Sequence, residues 1–356
     1  MAIRRDIWQR IPEHSERVHA NISSVQASVM QNLLRRSRMH RTRTGKRIEL
    51  TPRDIEIFRN LELYRYLRST FIHTFVGGAS ETRFKERLGD LFHEGYIDRP
   101  SQQWQFANCR YLPAVYENGE GARRVLRERG MVDIEPRTLL AQGAHRQFAH
   151  SLMICEILAC IDIAVRSDPN LRFIPWQEIL AKAPEKTRKG DNPFQIPVSI
   201  THTLGGNVLR VDASVIPDGI FGLEYTADRK KTYRFFAFEA DRATMPVVRS
   251  NLNQTSYMRK ILGYRDIIAR QIHKSHLGIP NLLVLTVTTN ERHMAEIMKL
   301  LSELTDGSAA FLFKTMGALG SFDQAPTLTP QILLDSWLRV GFPPLCIAAP
   351  SADNVK

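Results

Sequence analysis

The stretch VIPDGIFGLEYTADRKKTYRFFAFEADRATMP, Val215–Pro246, sets the architecture of the C-terminal part of the chain. Two strand-like runs flank the turn-rich TADRKK, which predicts a β-hairpin. With the turn centred between Asp228 and Arg229, residues whose numbers sum to 457 face one another. Asp218 and Glu239 form such a pair at the open end of the hairpin. Asp241 falls two residues on, on the same side if the strand continues. Like charges opposed on a sheet repel, so three carboxylates at the end of a hairpin containing Phe235, Phe236 and Phe238 call for compensation. Mg²⁺ or Mn²⁺ would supply it, since hard cations take carboxylate oxygens. A bound metal would also activate water and stabilise charge on a phosphate under attack. The alternative is an ion-pair network with Arg242, Arg249 or Lys260.

On either side the pattern is a helix, then strands, then strand and helix in alternation. A helix over about 146–165 precedes strands at Val198–Thr203, Val208–Val211, Gly219–Tyr225 and Thr232–Glu239. A long helix at about Val247–His273, a strand Leu282–Thr288, a helix Glu291–Leu304 and a strand Ala310–Lys314 follow. This order predicts a mixed sheet covered on both faces. Glu156 lies in SLMICEILACIDIAV, a run apolar nearly all round. A carboxylate buried there needs a partner: either the metal of the same site or a buried Arg or Lys. His150, six residues earlier, reads as structural. On the helix after the hairpin, Arg249, Arg259, Lys260 and Arg265 interleave with Gln254, Tyr257 and Tyr264. Lys260 is the candidate for orienting a water or stabilising a pentavalent phosphorus.

The N-terminal third reads differently. LTPRDIEIF carries consistent helix-start signals: Thr51 as cap, Pro52 at the first position and Asp54 as a capping-box partner. A second short helix is predicted over Ser69–Phe75, ended by Gly77-Gly78. A third begins after Ser80 with Phe84, Leu88, Leu91 and Phe92 on one stripe. Strand-like Trp104–Phe106, Tyr111–Tyr116 and a basic helix Ala122–Arg129 follow. Three short helices and a hairpin make the winged-helix plan, in which the third helix enters the major groove of double-stranded DNA. Arg83 points outward as the candidate base or phosphate contact, with Lys85 and Arg87 on the flanks for phosphate.

The chain has 356 residues, 43% hydrophobic, with 49 Lys+Arg against 37 Asp+Glu and a net charge of +12. The hydrophobic fraction excludes a largely disordered chain, and the charge favours a polyanionic partner. Residues 1–49 hold eleven basic residues against four acidic ones. The densest run, RRSRMHRTRTGKR, contains Arg35, Arg36, Arg38, Arg41 and Arg43. It is expected to be a mobile arm tracking phosphates. No uninterrupted apolar run reaches the roughly 18 residues of a membrane span, and no signal peptide is seen, so no membrane partner and a cytoplasmic, nucleoid- or plasmid-associated location are expected. Cys109, Cys155, Cys160 and Cys346 form no disulfide or zinc spacing. No phosphate loop, GxSxG elbow or HExxH is present.

With these residues in hand, the chain resembles the replication-relaxation family of bacterial plasmid and mobile-element proteins. The resemblance spans about Leu50–Phe313 and rests on LTPRDIEIF, VYENGEGARRVL, the His150…Glu156 helix, PDGIF…FFAFEADRAT and VLTVTTNERH. It implies a two-domain α/β protein: a winged helix-turn-helix followed by a mixed-sheet domain like the PD-(D/E)xK nucleases. The boundaries are a basic arm over 1–48, a winged helix over 49–135, a nuclease-like domain over 141–345 and an unstructured tail over 346–356. Asp218 and Glu239 match the two acids of the nuclease motif, and Glu156 the acid of the first core helix. Asp241 stands where the motif has lysine, and Lys260 is the candidate substitute. The expected function is DNA binding in a plasmid or other mobile element, with metal-dependent phosphodiester hydrolysis if the site is active. The alternative is a non-catalytic regulator of replication or transcription on a degenerate site. Other replication or mobile-element proteins and a second copy of the chain are the further partners expected, the homodimer being specified by no residue.

Overall fold

The computed structural model describes residues 37–78, 80–131, 145–204, 207–249, 251–317, 319, 321 and 326–350. The N-terminal unit begins with α1 (Pro52–Tyr64), whose capping box is made as its sequence predicts. Thr51 N donates to Asp54 Oδ2 at 2.7 Å, and Asp54 N donates to Thr51 Oγ1 at 3.3 Å. After β1 (Leu67–Arg68) come α2 (Ser69–Val76) and α3 (Glu81–His93), the latter capped by Ser80. β2 (Ile97–Asp98) and β3 (Val115–Asn118) complete an antiparallel sheet of order β1-β3-β2, and α4 (Glu120–Glu128) follows. The segment Trp104–Phe106 is not a strand: Ser101–Gln105 forms a 3₁₀ turn. Gln103 holds it there, its amide donating to Pro100 O and Val115 O and its Oε1 accepting from Val115 N.

α5 (His145–Val165) carries the chain into the larger unit. By length and composition its window Phe148–Val165 could cross a membrane, yet 83% of that window is buried in the fold. Its two acids are paired: Glu156 with Arg68 of β1 at 2.5 Å, and Asp162 with the Tyr64 hydroxyl at 2.6 Å. α5 therefore serves as the common core helix. One apolar cluster runs without interruption from α1–α4 through α5 to one face of the main sheet.

That sheet is built from β4 (Leu171–Ile174), β7 (Gly219–Ala227), β8 (Lys230–Asp241), β9 (Leu283–Thr288), β10 (Ser308–Thr315) and β11 (Leu338–Val340), in the order β11-β10-β9-β8-β7-β4. β8, β9 and β10 run parallel; β4, β7 and β11 are antiparallel to their neighbours. Between β4 and β7 lie α6 (Trp176–Lys182), α7 (Glu185–Arg188) and a separate ribbon of β5 (Ile196–Leu204) and β6 (Asn207–Val215). The opposite face of the main sheet is covered by α6, α8 (Tyr257–Ala269), α9 (Ile272–Leu277), α10 (Glu291–Leu304) and the ribbon, around a second apolar cluster. α11 (Gln331–Leu334) packs against α5. The helix expected from Val247 starts ten residues later, at Tyr257, and ends at Ala269, with Gln271 at φ 54 before α9. Residues 347–350 do not trail free: Tyr225 Oη donates to Ile347 O and Arg234 donates to Ala349 O. Residues 351–356 lie outside the described residues.

Candidate functional site

The β7–β8 hairpin has the register read from its turn. Asp228 and Arg229 sit at φ 49 and φ 61, the pair of positive values a two-residue primed turn requires. Gly219 lies opposite Phe238 and Ala227 opposite Lys230, so Asp218 emerges beside Glu239 at the end of the sheet. Alternation along β8 sends Phe236, Phe238 and Ala240 to the α5 side. Glu239 and Asp241 point the other way, toward α8 and α10, and the strand continues through Asp241 as expected.

α8 meets Glu239 with one face. Tyr257, Lys260 and Tyr264 recur at spacings of three and four, hence on one side of a helix. Lys260 Nζ is hydrogen-bonded to Glu239 Oε2 and lies 4.0 Å from Asp218 Oδ2, while Tyr264 Oη donates to Glu239 Oε1. From the other side, His150 Nε2 of α5 lies 3.3 Å from Asp218 Oδ1, and the Ala240 amide donates to Asp218 Oδ2 at 2.9 Å. Glu239 is 2% exposed, whereas the Asp218 and Lys260 side chains each retain 18%, so the cluster opens to solvent through those two.

The electrostatics follow from this layout. Burial pushes Asp218 up, but the Lys260 ammonium, the His150 contact and the Ala240 N–H outweigh it and hold the carboxyl well below its ordinary range. Burial raises Glu239 to about 7, and the neighbouring Asp218 charge adds to it against the opposing pull of Lys260 and Tyr264. Asp218 is thus the first of the two acids to ionise. Burial would lower Lys260, yet the charges of Glu239 and Asp218 raise it, so it stays an ammonium. His150 is likewise raised: desolvation opposes, but the hydrogen bond to Asp218 and its charge prevail.

The structure therefore brings together Asp218, Glu239 and Lys260. It adds His150 and Tyr264, which sequence reasoning had not given a role there. Tyr264 carries a signal in hindsight, its spacing of four from Lys260. Asp241 is 4% exposed and engaged elsewhere, with His293 Nε2 of α10 at 2.7 Å from its Oδ2 in a contact not aligned as a hydrogen bond. Glu156 takes the ion-pair alternative, with Arg68 of β1 as a partner. Among the described residues, no group of three or more His, Cys, Asp and Glu side chains is arranged to hold a metal. Asp218 is the carboxylate at the cluster's opening, and Glu239 lies behind it with its oxygens bonded to Lys260 and Tyr264. Two carboxylates suit Mg²⁺, which binds through one or two such groups and completes its shell with water and phosphate.

The N-terminal candidates divide. Arg83 and Lys85 are exposed on α3, with Lys85 paired to Glu81 at 2.6 Å. Arg87 is committed inward, donating to both oxygens of Asp54, at 3.0 and 2.6 Å, and to Glu49 O at 2.7 Å. The mobile arm does not hold for residues 38–46, which form a strap along the C-terminal half of α3. Arg41 donates to Phe92 O at 2.9 Å and to Ile97 O at 3.1 Å, and pairs with Asp98. Thr44 bonds Glu94 and Lys46 pairs with Asp90 at 2.5 Å. Arg38 donates to Arg110 O and Leu112 O. The apolar aperiodicity that suggested a free arm also describes a strap held by guanidinium-to-carbonyl bonds. Arg43 remains exposed, and Arg35 and Arg36 lie outside the described residues.

These features define a mixed α/β protein in which a basic helical unit shares its core with a sheet that ends in paired carboxylates and a lysine. The chain belongs to the replication-relaxation family, whose sequence profile matches residues 58–283. Membership makes it a replication-related protein of mobile elements. Comparison with curated proteins and with solved structures gave no match.

Proposed function

We propose that the protein binds double-stranded DNA through a winged helix formed by α1–α3 and the β2–β3 hairpin. We further propose that the sheet-end cluster hydrolyses a phosphodiester bond. The observation that carries the reading is the convergence of Lys260 on Asp218 and Glu239. It restores, from a helix, the cation that Asp241 displaces from the strand. Asp218 and Glu239 would hold Mg²⁺ or Mn²⁺, which when bound supplies an activated water and neutralises phosphate charge. Lys260, with its proton retained, would face a non-bridging phosphate oxygen and stabilise the charge that grows there as water attacks. Tyr264 fixes the Glu239 carboxylate so that it does not rotate away. Arg83, Lys85 and Arg43 supply exposed positive charge for the DNA backbone, and the remainder of the +12 net charge would make that binding salt-sensitive.

A non-catalytic regulator is the second reading. Asp241 at the motif's lysine position, tied to His293, favours it. Incubating the protein with supercoiled plasmid in Mg²⁺, Mn²⁺ or EDTA, beside Asp218→Ala and Glu239→Ala, separates the two. Metal-dependent nicking by the unmodified chain alone supports the nuclease. A salt-sensitive gel shift in all three proteins with no cleavage supports the regulator.

A further inference from the structure

The loop between β2 and β3 presents one aromatic ring in an unusual way. Tyr111 is 88% exposed, far more than any other large hydrophobic residue described. Its backbone is nonetheless fastened. Tyr111 N donates to Asn108 O at 3.0 Å. The carbonyls on either side of it, Arg110 O and Leu112 O, both accept from the Arg38 guanidinium, which also lies 5.7 Å over the Trp104 ring. The base of the loop is closed by Gln103, bonded to both polar groups of Val115. A strap residue thus holds the carbonyls of the two residues flanking Tyr111 while the ring contacts solvent. Arg110 beside it is exposed, and no Asp or Glu occurs between Arg99 and Val115.

An aromatic ring on an ordered, basic, acid-free loop suits a flat π-surface attached to a polyanion. Holding the backbone in advance lowers the entropy cost of placing the ring. In an intact duplex every base face is covered by its neighbours, so a ring can stack only where a face is open or a base step is prised apart. Resting on the DNA-binding reading above, we propose that Tyr111 is a stacking site for a nucleobase face exposed at a gap or a single-strand/double-strand junction, positioned by Arg38 and accompanied by Arg110 on the adjacent phosphate.

Fluorescence anisotropy with a 20-bp duplex, intact or carrying a one-nucleotide gap flanked by 2-aminopurine, tests this. Base–aromatic stacking implies a preference for the gapped duplex of about 5- to 150-fold. Tyr111→Ala should lose that preference, and with it the quenching of 2-aminopurine on binding, while its affinity for the intact duplex stays within about twofold. Tyr111→Trp should keep both. Arg38→Met, which releases the loop but retains the ring, should show a reduced preference. Equal binding of gapped and intact duplex by the unmodified protein, or a preference unchanged in Tyr111→Ala, overturns the inference and leaves DNA binding standing. Failure of the unmodified protein to bind either duplex at low salt overturns both.

Discussion

Replacing Arg68 with methionine removes the guanidinium but leaves a carboxylate that has no solvent to turn to. The Arg68 and Glu156 side chains are 1% and 0% exposed and 2.5 Å apart. Breaking a buried pair by deleting one partner costs about 3–5 kcal/mol. The loss has a ceiling, because Glu156 can take up a proton instead of staying charged. That protonation costs about 1.4 kcal/mol per pH unit above an ordinary value near 4.3, hence about 4 kcal/mol at pH 7 and about 1 kcal/mol at pH 5. In the variant the folded-state carboxyl is raised above its unfolded value. The penalty is therefore full at neutral pH and fades as pH falls toward the unfolded value. Urea denaturation followed by tryptophan fluorescence at pH 7 and pH 5 reads both numbers. Arg68→Met/Glu156→Leu should recover most of the lost stability at pH 7, since an apolar pair of similar volume replaces a buried ion pair at little cost. A loss under about 1 kcal/mol at pH 7, or one equal at the two pH values, would refute the assignment of Glu156 as a structural counter-ion.

Three further outcomes are expected. In Gly263→Ala a Cβ would stand 2.4 Å from Val215 Cγ2, so either the Val215 side chain must turn or α8 must move off the β5–β6 ribbon. A stability loss of about 1–3 kcal/mol in thermal or urea unfolding is expected. Arg41→Ala should lower stability by about 1 kcal/mol, discounted for the 31% exposure of its side chain, and should speed amide hydrogen exchange along the strap. Because Glu239 is raised to about 7, its proton competes with a cation. Mn²⁺ affinity measured by calorimetry should fall about tenfold per pH unit below 7 and level off above it, and Glu239→Gln should flatten the profile.

What the sequence made legible was mostly local. The hairpin register followed from a two-residue turn, because alternation and antiparallel pairing leave no freedom once the turn centre is known. The capping box at Thr51 and Asp54 and the inward stripe of α3 were equally local. Long-range partners were not legible. Glu156 demanded a counter-charge, but nothing near it in sequence indicates Arg68, 88 residues earlier on a strand of the N-terminal sheet. The strap failed for the same reason, since its carbonyl acceptors leave no mark in side-chain patterning. Lys260 lay between: its helix was placed, with its start ten residues early, and the geometry that sets Nζ between two acids required the packing of α8 on β8.

The most direct test of the central claim is cleavage of supercoiled plasmid in Mg²⁺ or Mn²⁺ by the intact chain beside Lys260→Ala, with circular dichroism verifying the fold. Metal-dependent nicking by the unmodified protein is expected, with a loss of at least about 100-fold in Lys260→Ala, the scale of removing one group that stabilises transition-state charge. Nicking that persists undiminished in Lys260→Ala, or DNA left intact by the unmodified protein in every metal, would contradict that claim.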